Sequence, residues 1–184
     1  MVFAHDAEVS LQAAATLVNS APTPTDADRL TTVEDLDAFY ERFEFTGRHD
    51  RDEAELQAVR DLRPRLRELM TSDRDAAVEV VNAMLTDARA LPQLQRHDRF
   101  DWHLHATGPA DPLATRIVVE AAMAMIDVIR ADEMSRLGVC ADADCAGVVV
   151  DLSRNRSRRF CSTACGNRGA AAAYRSRQAV RPTG

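Results

Sequence analysis

The segment that decides how this chain folds is "CADADCAGVVVDLSRNRSRRFCSTACGNRGAAAAYRSR", residues Cys140–Arg177. It holds all four cysteines of a 184-residue protein, in the spacing C-x4-C-x15-C-x3-C, with arginines between and after them. Gaps of four and three residues let each pair of cysteines converge from a single turn. The spacing therefore predicts one common site formed by Cys140, Cys145, Cys161 and Cys165.

Four thiolates match the tetrahedral shell of a single structural Zn2+ ion, and they leave no open position for catalysis. An iron–sulfur or rubredoxin-like iron site would use the same ligands, and a redox pair or unligated thiols are further alternatives. The first residues, "MVFAHDAEVS", lack the apolar region of a signal peptide, and no stretch approaches the roughly 18 apolar residues of a membrane span. We therefore expect a cytoplasmic protein, in which clustered thiols favour a metal over disulfides.

The local pattern around the cysteines predicts a turn, a hairpin and a helix. "GVVVDL" and "RRF" are typical of strands, and the polar "SRNRS" between them is typical of a turn. "STACGNRGAAAAYRSRQ" favours a helix capped by Ser162 or Thr163, and Gly166 would let the backbone approach the sulfurs. This order resembles a treble-clef zinc finger.

Charge is distributed unevenly along the chain. Residues 1–139 carry 15 Arg against 26 Asp and Glu, net -11, whereas residues 140–184 carry 8 Arg against 3 acids, net +5. A cationic end on an anionic body favours contact with a polyanion, and duplex DNA is the expected partner. The candidate nucleic-acid-binding residues are Arg154, Arg156, Arg158, Arg159, Arg168, Arg175 and Arg177.

Three alternatives accompany the DNA hypothesis. The arginines could form a solvated basic surface, could meet an acidic protein as an adaptor, or could bind RNA, for which only Phe160 and Tyr174 offer stacking. Arg168 has two interpretations of its own, because it could neutralise the cysteine cluster or reach a phosphate.

Apolar periodicity predicts a mainly α N-terminal domain with a small β-hairpin, an α+β arrangement. The segments are a helix or strand over 9–20, a helix capped by Thr31 and Glu34, an amphipathic helix over 52–71 kinked or divided at Pro64, a helix over 73–89 capped by Asp73, and a helix from Asp111 and Pro112 to a stop at Gly138. "LPQLQ" (91–95) is a candidate hairpin partner for "RFDWHLHAT", in which Phe100, Trp102 and Leu104 would form the buried face.

The N-terminal domain carries no glycine-rich phosphate loop, nucleophile elbow or carboxylate constellation, so we do not expect an enzyme. His103 and His105 could join His97 or His49 in a second metal site, but the favoured interpretation is exposed histidines opposite a buried Phe/Trp/Leu face. Met84, Met123, Met125 and Met134 suit a core or the lining of a ligand pocket. This domain is a candidate for homodimerisation or for binding a small-molecule effector.

The segment "SRNRSRRFCSTACGNR" resembles the CGNR zinc-finger domain, whose naming motif is here Cys165, Gly166, Asn167 and Arg168. "LVNS" at 17–20 and "VVNAML" at 80–85 are similar to motifs of the ABATE domain, a domain of stress-induced transcription regulators that usually precedes that finger. The resemblance implies an ABATE-like regulatory domain over 1–138 and a zinc finger with a basic C-terminal helix over 139–184. It also implies zinc at the four cysteines and a DNA-binding, transcription-regulating role. Members often carry a lysine two positions after the motif, where this chain has Ala170, so one nucleic-acid contact is missing or moved.

Overall fold

The amphipathic segments of the sequence fold into helices that pack around one apolar core, and the computed structural model describes residues 3–23, 26–97 and 100–179. The helices are α1 (His5–Asn19), α2 (Val33–Arg42), α3 (Glu53–Arg60), α4 (Arg63–Thr71), α5 (Arg74–Asp87), α6 (Leu113–Arg130) and α7 (Thr163–Ala179), with a 3-10 turn at Met134–Arg136. The strands are β1 (Gln93–His97), β2 (Phe100–His105), β3 (Leu137–Val139) and β4 (Val148–Val150). The fold is therefore mainly α, and the described residues form two small antiparallel hairpins, β1–β2 and β3–β4. The mainly α content and the first hairpin are as the sequence predicts.

The core lies between α1, α4, α5 and α6, and it is made of apolar side chains with little exposed area. Met84 and Met125 are fully buried in it, so for these two methionines the core interpretation is confirmed. The residues packed most deeply are Leu11, Leu17, Leu36, Leu56, Leu66, Leu69, Met70, Leu113 and Ile117. No helix in the described part of the chain is long and apolar enough to cross a membrane.

The start of α2 differs from the prediction by one residue. The capping box is formed by Thr32 and Asp35, not by Thr31 and Glu34: Thr32 Oγ1 accepts from the Asp35 amide at 3.2 Å, and Asp35 Oδ2 accepts from the Thr32 amide at 3.0 Å. Thr31 donates its amide and its hydroxyl to the same carboxylate. The hydrogen bonds from Thr31 and Thr32 lower the pKa of Asp35, with the Thr31 amide contributing most.

Pro64 divides the predicted 52–71 helix into α3 and α4. α3 ends at Arg60, and Pro64 lies in the first turn of α4, where its missing N–H group would have had no intrahelical partner. The Asp73 cap of α5 is confirmed, because its side chain accepts from the Ala76 amide at 2.9 Å.

The β1–β2 hairpin forms as predicted, but the face expected to be buried is not. Leu94 pairs with Leu104, and the register shifts between Gln95 and His97. Trp102 is 64% exposed and Leu104 is 49% exposed, while the side chain of Phe100 lies outside the described residues. The alternation of apolar and polar residues predicted the strand correctly, but its prediction that Trp102 and Leu104 are buried is wrong. The hairpin borders a cavity between α1 and α6 and does not cover the core.

The long helix predicted from Pro112 to Gly138 ends earlier than expected. α6 stops at Arg130, and Asp132 adopts a left-handed conformation with φ of 56° that turns the chain away. Gly138 lies in β3 and is not the helix stop.

The hairpin of the cysteine segment also differs from the prediction. β4 pairs with β3, which precedes the first cysteine pair, whereas "RRF" at 158–160 forms no strand. All three valines of β4 are buried, since Val148 and Val150 pack into the helical core and Val149 packs against the cysteines. Both faces of β4 are therefore covered, and β3 is hydrogen-bonded to one of its edges.

The cysteine module, residues 137–179, is attached to the helical body through the end of α1. The Asn19 side chain donates to the Val148 carbonyl at 2.8 Å and accepts from the Val148 amide at 2.7 Å. Arg67 of α4 donates to the carbonyl of Ala146. Asn19 therefore pairs with β4 much as a neighbouring strand would.

Candidate metal centre and basic surface

The four cysteines meet in one cluster. Their sulfur atoms all lie within 4.8 Å of one another, and the Cys145–Cys161 and Cys161–Cys165 sulfurs are each 3.6 Å apart. A tetrahedron with zinc–sulfur bonds of about 2.3 Å has sulfur–sulfur edges of roughly 3.8 Å. The sulfurs are therefore spaced for one metal ion, and these four cysteines fit one structural Zn2+.

Three segments position the sulfurs. Cys140 and Cys145 lie at the tip of the β3–β4 hairpin, Cys161 lies just before α7, and Cys165 lies in the first turn of α7. Ser162 caps α7, because its hydroxyl oxygen accepts from the Cys165 amide at 3.2 Å. This cap confirms the first of the two residues that the sequence offered for it.

Several donors point at the sulfurs. The Gly147 amide donates to Cys145 Sγ at 3.3 Å, and the Cys161 amide donates to Cys140 Sγ at 3.4 Å. The Ser162 hydroxyl donates to Cys165 Sγ at 3.2 Å. Four thiolates and one Zn2+ carry a net charge of -2, so these donors would stabilise the loaded site.

The pKa values of the clustered thiols also favour a bound metal cation. Burial, followed by the hydrogen bond with Cys145, raises the pKa of the Cys161 thiol far above its usual value, and burial raises that of Cys145. The pKa of Cys140 is lowered although burial acts against it, because the Asp142 and Cys161 amides bond to its sulfur. Four neighbouring thiolates can exist together at neutral pH only with a metal ion between them.

Arg168 contacts both the cluster and an acid beside it. Its guanidinium donates to Cys165 Sγ at 3.0 Å and to Asp142 Oδ2 at 2.7 Å. Asp142 is only 8% exposed, and the hydrogen bond from Arg168 lowers its pKa. Of the two interpretations of Arg168, this geometry favours neutralisation of the cysteine cluster.

The glycine that lets the backbone approach the sulfurs is Gly147, not Gly166. A Cβ atom at Gly147 would lie 2.7 Å from Cys161 Sγ and 3.2 Å from Cys145 Sγ. A Cβ at Gly166 would meet only the Phe160 ring, at an ordinary 3.8 Å. The prediction for Gly166 is wrong because α7 turns that residue towards Phe160.

A second anchor lies on the far side of β4. Arg136, only 7% exposed, donates to the carbonyls of Asp151 and Ser153, both at 3.0 Å, and to Glu133 at 2.9 Å. The Asp151 carboxylate in turn accepts from the amides of Ser153 and Arg158, both at 2.8 Å. These bonds fix the start of the arginine-rich loop.

The seven candidate arginines fall into two groups. The first group is bound within the protein. Arg156 pairs with Glu133 at 2.9 Å, Arg158 donates to the carbonyls of Phe160 and Cys161, and Arg168 donates to Cys165 and Asp142. The other four are exposed and form no ion pair or side-chain hydrogen bond with any described residue. These unpaired arginines are Arg154, Arg159, Arg175 and Arg177.

Helix α7 projects from the module. Cys165 is buried and Gly169 lies against the Phe160 ring, but every described side chain from Ala170 to Gln178 is exposed. Tyr174 is 58% exposed. The second half of α7 thus buries nothing in the described protein, and it carries Arg175 and Arg177 on an alanine-rich surface.

Of the four histidines considered for a second metal site, His49 and His105 have described side chains. His49 is held between two carboxylates, with Asp37 at 2.7 Å from Nε2 and Glu55 at 2.7 Å from Nδ1. The side chains of His97 and His103 lie outside the described residues. Among the side chains that the structure describes, the four cysteines are the only group of three or more residues that could hold a metal ion.

Sequence reasoning missed Asn19, Asp142 and Arg136 as supports of the site. Asn19 lay within the quoted "LVNS", but its partner is 129 residues away. Asp142, between the first two cysteines, could have been found by asking which acid would pair with Arg168. Arg136 carried no sequence signal.

Two family models match the chain. The ABATE model, described as "Putative stress-induced transcription regulator", matches residues 11–132, and the model of the CGNR zinc finger matches residues 136–178. Neither description is that of an enzyme family. A search of curated proteins returned no match.

Proposed function

The chain belongs to the ABATE family and carries a CGNR zinc finger, and from this premise we propose that it is a zinc-dependent, DNA-binding transcription regulator. In this proposal residues 139–184 bind duplex DNA in the cytoplasm, and residues 1–138 sense a signal or form a homodimer. The protein acts by binding and not by catalysis.

One observation carries the proposal: the unpaired arginines lie on an exposed helix and loop of an otherwise anionic protein. Residues 1–139 have a net charge of -11 and residues 140–184 have +5. The anionic body repels a polyanion, and this repulsion favours approach of the polyanion from the side of the cationic module. Arginine also suits bidentate contact with phosphate and guanine.

The shape of α7 supports a role in the major groove. That groove is about 12 Å wide and admits an α-helix. The small side chains of residues 170–173 would let the helix backbone approach the groove floor, and Arg175 and Arg177 follow them directly. Arg154 and Arg159 on the preceding loop would contact phosphates beside the groove.

The zinc ion gives this surface its shape. Cys161 and Cys165 hold the start of α7, and Arg158 and Arg168 are bound to the cluster or its backbone. We assign these two arginines to the integrity of the module, and the unpaired arginines to DNA. If all four neutralise phosphates, the log–log slope of affinity against salt is about -4.

A titration with zinc-loaded full-length protein tests the proposal. Binding to genomic duplex fragments is measured by anisotropy over a salt series, for the wild type and an Arg175→Gln, Arg177→Gln double variant. The double variant should bind more weakly and lose about 2 from the salt slope. The matched control is Arg65→Gln with Arg74→Gln, which removes the same charge from the helical body and should leave the slope unchanged. Equal slopes for both double variants would reject the assignment.

A cysteine variant tests the role of the metal. Cys161→Ser should lose stoichiometric zinc and DNA binding, while the helical body keeps its circular dichroism. Salt-sensitive DNA binding that persists without zinc would contradict the proposal.

A second candidate function is a protein-interaction adaptor, which the exposed Tyr174 beside an alanine-rich surface favours. In that case duplex DNA gives no salt-dependent binding, and a single acidic protein competes for α7. An RNA-binding role would appear as a preference for single-stranded RNA over duplex DNA in the same titration.

A further inference from the structure

A cavity of about 500 Å³ opens in the helical body, far from the cysteines in sequence. It lies between the first turns of α1, the segment after α2, strand β2 and helix α6. Its walls are largely apolar and include Phe43, Phe45, Val119 and Met123. The volume is typical of sites for small organic ligands.

The exposed side chains of the first hairpin border this cavity. Trp102 and Leu104 lie at its rim, where 64% and 49% of their surfaces are exposed. Exposed apolar surface costs about 25 cal/mol per Å² relative to buried surface. A ligand in the cavity would cover these two side chains, which the described protein leaves open.

Glu120 of α6 gives the cavity its polarity. Glu120 lines the cavity, and its carboxyl group forms no hydrogen bond or ion pair with any described residue. Burial raises the pKa of Glu120 to about 7, although Arg116 acts in the opposite direction. Arg116 is not available as a closer partner, because its guanidinium donates to the carbonyls of Thr46, Arg48 and Asp111.

Further charged residues at the cavity also favour a cationic ligand. The acidic residues Asp6, Glu44 and Asp127 also line the cavity, and Arg130 is the one arginine among its described lining residues. Acids therefore outnumber permanent cations, and three aromatic rings are present to contact the ligand.

We infer that this cavity binds an apolar organic cation, with the ammonium group on the Glu120 carboxylate and the apolar part against Phe43, Phe45 and Trp102. The ammonium supplies the partner that Glu120 lacks, and the apolar part covers the exposed rim. This site is independent of the DNA proposal, and its test contains no DNA.

Two isosteric probes test the charge preference: phenyltrimethylammonium and the neutral tert-butylbenzene. Trp102 is the only tryptophan of the chain, so its fluorescence reports on the rim directly, and calorimetry gives a second readout. The wild type should bind the cation with a fluorescence change and bind the neutral probe about tenfold more weakly, in line with the worth of a charged contact. No cation binding by either method, or equal binding of the two probes, would overturn the inference.

Variants locate the contact. Glu120→Gln keeps the shape of the side chain and should weaken binding of phenyltrimethylammonium by about tenfold, with little effect on tert-butylbenzene. Glu79→Gln is the matched control, because Glu79 is an exposed acid of α5 outside the cavity. Equal effects of the two variants on the cation would show that general charge, and not Glu120, is responsible.

The pH dependence of cation binding is a further test, and the wild type alone can provide it. Since a cation prefers the ionised carboxylate, its affinity should rise by about tenfold between pH 6 and pH 8 in the wild type. The neutral probe should show no such rise. The other titratable or charged groups facing Glu120 are His5, Asp6, Glu44, His105, Arg116, Asp127 and Arg130. The rise should shrink in Glu120→Gln, because the amide cannot ionise. A pH-independent affinity would contradict the inference.

Discussion

Asn19 at the end of α1 and Val148 in β4 exchange two hydrogen bonds, of 2.8 and 2.7 Å, across 129 residues of sequence. Val148 is 1% exposed, so its amide and carbonyl rely on the Asn19 side chain for these hydrogen bonds. Asn19→Ala should therefore lower the free energy of unfolding by about 2–3 kcal/mol, because two buried backbone groups lose their partner. Urea unfolding of the zinc-loaded protein measures this change. Asn82→Ala is the control, since Asn82 lies in the other ABATE-like motif with an exposed side chain; a similar loss there would contradict the explanation.

Gly147→Ala should weaken zinc binding. Its Cβ would lie 2.7 Å from Cys161 Sγ, so either the hairpin tip or a ligand must move. We expect a loss of affinity of about tenfold or more, comparable to other perturbations around metal ligands. Competition with a chromogenic chelator measures it. Gly138→Ala in β3 places a Cβ where no atom lies within 4 Å, and it should bind zinc like the wild type.

Arg168→Ala should also weaken zinc binding, by about tenfold, in the complete absence of DNA. The variant removes the guanidinium from Cys165 Sγ and leaves the buried Asp142 carboxylate without its ion-pair partner. Arg175→Ala, which removes an exposed arginine of the same helix, is the control. Wild-type zinc affinity in Arg168→Ala would favour the phosphate interpretation of this arginine.

The buried pair between Asp28 and Arg63 should make stability depend on acid pH. The hydrogen bond from Arg63 is the largest influence on the pKa of Asp28, which falls from 3.8 to about 2. A group with a lowered pKa stabilises the fold above its unfolded-state value, and this stabilisation is lost as pH falls through the folded-state value. The wild type should thus lose about 2 kcal/mol between pH 5 and pH 2 through this pair.

Asp28→Asn tests that assignment by urea unfolding across the same pH range. The variant should be less stable at pH 5, because Arg63 is only 8% exposed and loses its charged partner, and its stability should fall less steeply in acid. Asp87→Asn removes the partner of Arg65 in a pair whose carboxylate is 64% exposed. It should follow the wild-type pH profile, since exposed ion pairs contribute little.

The features that sequence predicted correctly are those encoded over short distances. The cysteine spacing alone located four sulfurs that lie within 4.8 Å of one another. Pro64 divided its helix, and the Asp73 and Ser162 caps formed where expected, because each depends on donors within about three residues. The cap of α2 was misplaced by one residue because two adjacent threonines precede two adjacent acids, and only the geometry chooses the pair.

The features that sequence missed depend on distant partners. Alternation predicted a buried Trp102, but whether a strand face is covered depends on which element packs against it. β4 could pair with a segment before or after it, and the body of the protein selects β3 by burying Val148 and Val150. Gly147 and not Gly166 approaches the sulfurs for the same reason, since the approach depends on how the hairpin tip folds over Cys161.

Helix α1 has a mechanical consequence for the whole protein. Its first turn lines the cavity and its last residue holds Val148, so a single 15-residue rod of about 22 Å connects the two. A ligand that tilts α1 at the cavity must displace Asn19 at the other end of the helix. This displacement would also move the hairpin tip that carries Cys145. By thermodynamic reciprocity, loading the cysteines would then change the affinity of the cavity by the same factor.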